Sequence, residues 1–267
     1  MEKNTKHIIQ VKNLTKKFGA FTAVNNITFD VKKGEIFGFL GANGAGKTTA
    51  MKMLIGISKP SKGEAHVAGF DVHKNPDAIK KNIGYMSQKF ALYDDLTVKE
   101  NSTFFGGIYG LSRKQIKAKT KQLIEELGLE DIADELVGSL PLGWKQKLAF
   151  SVALLHNPKI VFLDEPTGGV DPITRRKFWE MIYKTAHNGT TVFVTTHYMD
   201  EAEYCDRVSI MVNGKIEVLD SPKKLKDQFK AANMNDVFLK LARSPSSTLP
   251  EGKGEKAQNE ITVSNDK

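Results

Sequence analysis

The apolar run Ile36–Leu40 leads directly into Gly41-Ala42-Asn43-Gly44-Ala45-Gly46-Lys47-Thr48, which satisfies G-x-x-x-x-G-K-[ST] in full. The run reads as a strand, and a helix is expected to begin near Lys47, so the motif sits in the context a phosphate loop requires. Glycines let the backbone curl until successive N–H groups point at phosphate oxygens. The positive end of the following helix dipole adds to that attraction. Lys47 is then placed to reach β- and γ-phosphates, and the Thr48 hydroxyl to ligate Mg²⁺. A glycine-rich turn before an ordinary helix would explain the glycines, but not Lys and Thr in register with them. A bound nucleoside triphosphate is the expectation.

Composition narrows the setting without choosing a partner. The chain has 267 residues, 40% of them hydrophobic and 26% charged, as an ordinary water-soluble domain does. No apolar stretch approaches the ~18 residues that cross a bilayer, and Met1–Lys6 lacks the apolar segment of a secretory signal. Cys205 is the single cysteine, so an intrachain disulfide is excluded and a reducing cytosol suits the chain. A net charge of +8 and a pI near 9.3 fit nucleotide, nucleic acid or lipid headgroups alike. Lysines are spread along the chain, so a solvated basic surface explains the charge equally well.

Along the chain, Ile8–Val11 and Ile27–Val31 read as short strands, with turns around Phe18-Gly19 and Asn25-Asn26. Gly63–Gly69 looks like a further strand bounded by glycines, so an antiparallel flap is expected beside the core. From Thr97 to Leu155 the pattern is helical. Ile116, Leu123, Ile124 and Leu127 share one face of a helix over Arg113–Leu127, with Gly128 as its C-cap. Ile160–Leu163, a helix over Pro172–Ala186 and Thr190–Thr196 form a βαβ unit around a parallel sheet. Asn213-Gly214 between Val208–Val212 and Lys215–Leu219 signals a two-residue hairpin. The stretch 243–267, rich in Ser, Pro, Gly, Lys and Glu, is expected to be a disordered tail. The fold class predicted is α/β: a P-loop NTPase parallel-sheet core with an antiparallel β flap and an inserted helical subdomain.

Phosphoryl transfer needs charge neutralisation, a held metal and a positioned water. Asp164 ends a buried strand, where it can hold the Mg²⁺ shell. Glu165 follows and can orient or deprotonate water. A helix cap or salt bridge would explain one acidic residue there, but explains the Asp-Glu pair less well. His197 follows another apolar strand, and ligands gather at the carboxyl ends of such strands. Taken alone, His197 reads as a satisfied structural histidine, and Gln88, after Ile83–Met86, as a loop amide.

Together these residues have a recognisable order. The phosphate loop, Gln88, Val161–Glu165 with Pro166-Thr167, Val170-Asp171-Pro172 and His197 resemble the ATP-binding subunit of an ABC transporter, over nearly the whole chain to about Arg243. The resemblance implies one ATP-binding domain over 1–242, with a helical subdomain at about 92–155. It implies nucleotide contacts from Gly41, Asn43, Gly44, Ala45, Gly46, Lys47, Thr48 and Thr49. It makes Glu165 the general base and has His197 bind the γ-phosphate. Gln88 senses γ-phosphate and metal, and the metal set is Thr48, Gln88 and Asp164. Asp171 couples two subunits, and Phe18 stacks on adenine unless it is a core or turn aromatic. Asp206 matches a structural position without a catalytic role. The implied cofactors are ATP and Mg²⁺. The implied partners are a separate transmembrane permease and a second copy of the chain or a related cassette. The expected location is the cytoplasmic face of the membrane, held through the permease.

The signature segment departs from the family's usual Leu-Ser-Gly-Gly-Gln, reading Leu140-Pro141-Leu142-Gly143-Trp144 before Lys145-Gln146-Lys147. Pro141 lacks a hydroxyl and an N–H that could face a partner subunit's γ-phosphate, each worth about 1.5–3 kcal/mol to a charged group. Gly143 and the next helix remain, with Pro141 expected at a first helical position. Either this site is weaker, or Trp144 and Lys145 rebuild the contact. The variant is similar to a branch of bacterial multidrug and export-type cassettes. Gly168-Gly169-Val170-Asp171 departs mildly from Ser-Ala-Leu-Asp, with added backbone freedom. The implied function is the ATPase subunit of an exporter. The alternatives are a weakly hydrolysing regulatory cassette in a heterodimer, or a soluble cassette acting on nucleic acid or ribosomes. A single cassette, no long heptad insertion and no contiguous basic block speak against nucleic acid.

Overall fold

Apolar residues in the first thirty positions fold back on themselves as two antiparallel strands, β1 (His7–Phe18) and β2 (Phe21–Lys32). The chain continues through β3 (Ile36–Leu40), α1 (Lys47–Leu54), β4 (Lys62–Val67), β5 (Phe70–Asp71), α2 (Pro76–Asn82) and β6 (Ile83–Met86). Three helices follow, α3 (Val98–Ile108), α4 (Arg113–Leu127) and α5 (Leu142–Leu154). Then come β7 (Ile160–Asp164), α6 (Pro172–His187), β8 (Thr191–Thr196), β9 (Arg207–Val212), β10 (Lys215–Asp220), α7 (Pro222–Phe229) and α8 (Met234–Ala242). This computed structural model describes residues 6–89 and 91–242; the tail expected at 243–267 lies outside the described residues.

Two sheets result. The flap has the order β2-β1-β4-β5, and the core sheet β10-β9-β3-β8-β7-β6, with β10 alone antiparallel to its neighbour. Every residue of β3, β7 and β8 is buried, as in a parallel sheet covered on both faces. The sheets are joined by rings: Phe29 of the flap lies 5.6 Å from Phe37 and 5.5 Å from Phe39, and Phe193 continues the cluster to Phe162. The helical subdomain has its own core, including Val98, Leu123, Leu129 and Leu148. Its helices α3, α4 and α5 run between Val98 and Leu154. Helix α4 has the expected bounds, opened by a Ser112–Gln115 capping box and closed by Gly128 in the left-handed conformation.

Two local expectations need correction. The first strands are twelve residues each rather than short pieces, and Asn25-Asn26 is not a turn but a bulge within β2. Asn26 takes φ 57, Asn25 N donates to Gly214 O at 2.8 Å, and Asn26 N donates to Thr15 Oγ1 at 3.0 Å. Asparagine tolerates this conformation in strands as it does in turns. Pro141 stands at the N-cap, not at the first helical position: with ψ 148 it is extended, and its carbonyl accepts from Trp144 N and Lys145 N. The helices α7 and α8 were not foreseen; Leu225, Met234, Val237 and Leu241 bury them against the core sheet's second face.

The approach of β6 to α5 sets the helical subdomain against the sheet. A methyl at Gly84 would collide with the carbonyl oxygen of Ala153. Gly84→Ala is therefore expected to lose about 1–3 kcal/mol of stability, read as a lower urea midpoint with unchanged slope. An unshifted midpoint would mean that the two elements separate freely.

Candidate active site

Because β3, β8, β7 and β6 are neighbours and parallel, their carboxyl ends form one edge. The phosphate loop, His197, Asp164-Glu165 and the Gln88 loop leave from that edge, as ligand sites do in open α/β sheets. Within the loop, Ala45 N donates to Ala42 O at 3.1 Å, and Ala42, Asn43 and Gly44 stand exposed. Gly46 takes φ 103, and a Cβ there would meet the Ala23 carbonyl, so a bulkier residue is excluded. Thr48 and Thr49 lie half-buried in the first turn of α1.

Glu165 is the hub. Its Oε1 lies 3.2 Å from Lys47 Nζ, with the side chains 9% and 4% exposed. Its Oε2 accepts from Gln88 Nε2 at 3.1 Å and lies 3.0 Å from His197 Nδ1. Lys47 also donates to Gly41 O at 2.8 Å and Ala42 O at 3.2 Å, so all three ammonium donors have partners. The backbone of Glu165 is left-handed, φ 48. Such strain persists where surrounding structure over-determines it. Here Glu165 N donates to Thr195 O and Oγ1 at 3.1 and 3.0 Å, and Gly168 N donates to Glu165 O at 3.2 Å.

Asp164 is 2% exposed, and its Oδ1 accepts from Thr195 Oγ1 at 2.6 Å and Thr48 Oγ1 at 3.2 Å. Burial, and then the nearby Asp164 charge, push the Tyr85 phenol up to about 12. Among the described residues no group of three or more His, Cys, Asp or Glu side chains could hold a metal by itself. Mg²⁺ does not ask for one: it keeps several waters and takes one or two carboxylates plus substrate phosphates. The Thr48–Asp164 pair fits that demand. Gln88 directs one amide N–H at Glu165, and its carbonyl oxygen is an acceptor.

The other expected site residues make their contacts outside this cluster. Phe18 is 54% exposed at the β1–β2 hairpin, opposite Phe21, which removes the reading of a core aromatic. Lys16 Nζ sits 5.0 Å from its ring centre. Asp171 caps α6, accepting from Ile173 N and Thr174 N at 2.9 and 3.0 Å, and the Thr174 side chain and backbone bonds hold its carboxyl below the usual range. The contact of Gly143 runs to Thr174 of α6: an added Cβ would lie 3.0 Å from Thr174 Cγ2. Lys145 pairs with Asp94 at 3.1 Å, and Trp144 packs on the helical core beneath Lys147. Both side chains are thus engaged within their own subdomain. Asp206 Oδ2 accepts from Ile36 N at 2.8 Å, a structural contact as expected.

Two contributors escaped sequence reasoning. Thr195 bonds both acidic residues, and the usable signal was a hydroxyl inside a fully buried strand, which must find a partner. Gln146, fully buried, donates from Nε2 to the carbonyl of Pro166, tying α5 to the residue after Glu165. Its placement in the Leu140–Lys147 segment gave no hint of that target.

The chain is similar to known proteins. The family described as ABC transporter matches residues 24–168. The probable multidrug ABC transporter ATP-binding protein YbhF of Escherichia coli (strain K12) is 48% identical over 229 residues, 86% of this chain and 39% of the relative. The chain therefore spans about two fifths of that protein's length. The linearmycin resistance ATP-binding protein LnrL of Bacillus subtilis (strain 168) is 35% identical over 246 residues, 89% of this chain and 79% of the relative. Among solved structures, an ATP-binding subunit of an ABC transporter superposes with TM-score 0.80 at 27% identity, covering 88% of this chain and all of that one. A dimeric ATP-binding cassette in a post-hydrolysis state with ADP and Pi gives 0.72 at 27%, covering 80% and 98%. The chain belongs to the ABC transporter family, as one of its ATP-binding cassettes.

Proposed function

We propose that this cassette powers export of a substrate through a separate membrane permease, working as one of two cassettes at the cytoplasmic face. The observation that carries the reading is the convergence of Lys47, Gln88 and His197 on the Glu165 carboxylate. A γ-phosphate brought against that cluster meets a cation, a histidine and a base together. In this reading Lys47 and the loop N–H groups bind the phosphates, and Phe18 stacks on adenine. Glu165 takes the proton of the attacking water, and His197 holds the γ-phosphate geometry. Thr48, Asp164 and the Gln88 carbonyl would hold Mg²⁺, which neutralises phosphate charge when bound. Asp171 and the Gly143 segment would face a second cassette, and the dimeric post-hydrolysis relative supports that pairing.

Export is supported by the multidrug and linearmycin-resistance relatives. No described helix is long and apolar enough to cross a membrane; in this reading the translocation path belongs to the permease. A docking surface for it is suggested by Tyr93, Phe104 and Ile108, exposed by 46, 40 and 62% beyond the Gln88 loop. Exposed apolar clusters of this kind mark interaction sites. The test is reconstitution in lipid vesicles with the permease encoded by a neighbouring gene. ATP hydrolysis should rise with the permease and its substrate, and Phe104→Glu should remove that rise while the isolated chain hydrolyses as before. Hydrolysis indifferent to the permease, or stimulated by ribosomes instead, would overturn the reading.

A further inference from the structure

Two loops meet at the Glu165–His197 pair, and one buried carboxylate ties them together. Glu201, in the 3₁₀ segment Met199–Tyr204, is fully buried. Its Oε1 accepts a 2.5 Å hydrogen bond from Thr167 Oγ1, in the loop that leaves Glu165. The same oxygen lies 3.6 Å from Arg175 Nε on α6. The Arg175 guanidinium sits 4.2 Å from the centre of the Tyr198 ring, and the Tyr198 and His197 rings are 4.2 Å apart. Contacts therefore close into a circuit: Glu165, His197, Tyr198, Arg175, Glu201, Thr167 and back through Pro166. Arg175 N also donates to Asp171 O at 3.0 Å, so the exposed start of α6 joins the same circuit.

Such a carboxylate is a poor stabiliser. Burying it is costly, its one cation is at 3.6 Å, and neither Glu201 Oε2 nor Arg175 Nε has a hydrogen-bond partner among the described residues. What it supplies is position. We propose that Glu201 is a positioning residue that anchors Thr167 and Arg175, holding Glu165 in its left-handed conformation and in register with His197. This rests on the reading of Glu165 as base and His197 as γ-phosphate ligand.

The test uses the full chain with Glu201→Ala, Glu201→Gln and Thr167→Val, the last deleting little more than the hydroxyl should Glu201→Ala fail to fold. Glu201→Ala and Thr167→Val are expected to lower kcat about tenfold, the scale of a small misplacement at a reacting centre. Nucleotide affinity by calorimetry should stay unchanged. Amide hydrogen exchange over 166–171 should accelerate while the sheet core keeps its protection. Glu201→Gln, whose amide oxygen still accepts from Thr167, should recover most of kcat. The double variant should be no worse than the poorer single, because both remove one contact. Unchanged kcat and exchange in Thr167→Val would overturn the inference, as would kcat and affinity falling together with a lower melting temperature. If the parent chain hydrolyses no ATP, the reading of Glu165 fails instead, and the exchange of 166–171 in Thr167→Val still decides the anchor.

Discussion

Glu165→Gln should reduce ATP turnover by about two to four orders of magnitude, the contribution of a positioned general base, while nucleotide still binds. The amide has the carboxylate's shape and can occupy the same left-handed backbone position, so the loop's geometry is retained. It cannot take a proton from water at neutral pH. It also loses the ion pair to Lys47, now 3.2 Å away, which releases the ammonium toward phosphates rather than withholding it. Affinity for ATP is thus expected to hold or rise as hydrolysis collapses. With hydrolysis stopped, a dimer closed around ATP should accumulate and be visible by sedimentation with ATP and Mg²⁺. Turnover within about tenfold of the parent would assign the base elsewhere. Loss of ATP binding would show that Glu165 is needed to build the pocket rather than to use it.

How much of this was legible in the chain follows from the range of each interaction. The phosphate loop could be read because its determinants are local: glycines, Lys47 and Thr48 act within one turn after β3. Asp164 and Glu165 could be read because a fully apolar strand can only deliver its end residues to solvent or ligand. The meeting of Gln88 with Glu165 spans 77 positions and depends on β6 lying beside β7, which no local pattern encodes. Taken alone Gln88 reads as a loop amide; the family resemblance gave it a role, and the sheet order supplies the contact with Glu165. Asn25-Asn26 misled for a related reason: asparagine accommodates positive φ in both a turn and a bulge, and only pairing with β1 distinguishes them. Pro141 was misplaced by one position because proline suits the N-cap and the first turn alike. The short helices α7 and α8 were missed because each is amphipathic only against the sheet face it covers. Thr167 was noted only as part of the family pattern, and its link through Glu201 to Arg175 became visible only as contacts.

Lys47→Ala separates two roles that the structure gives to one ammonium. Toward the nucleotide it removes a charge-assisted contact worth about 1.5–3 kcal/mol, so ATP affinity should fall about 10- to 100-fold, each factor of ten being about 1.4 kcal/mol. Toward the protein it leaves the 9% exposed Glu165 without its cation. Breaking a buried pair from one side costs about 3–5 kcal/mol, and the low end applies because Gln88 and His197 still contact Oε2. The variant should therefore be less stable as well as weaker in binding. Adding Glu165→Gln removes the orphaned charge, so the double variant should regain most of the lost stability but none of the affinity. Calorimetry reads the first quantity and urea unfolding the second. If Lys47→Ala binds ATP as the parent does, the loop is not the phosphate site. If the double variant is no more stable than Lys47→Ala, the 3.2 Å pair contributes nothing to folding, and its purpose is to keep Lys47 beside the base until phosphates compete for it.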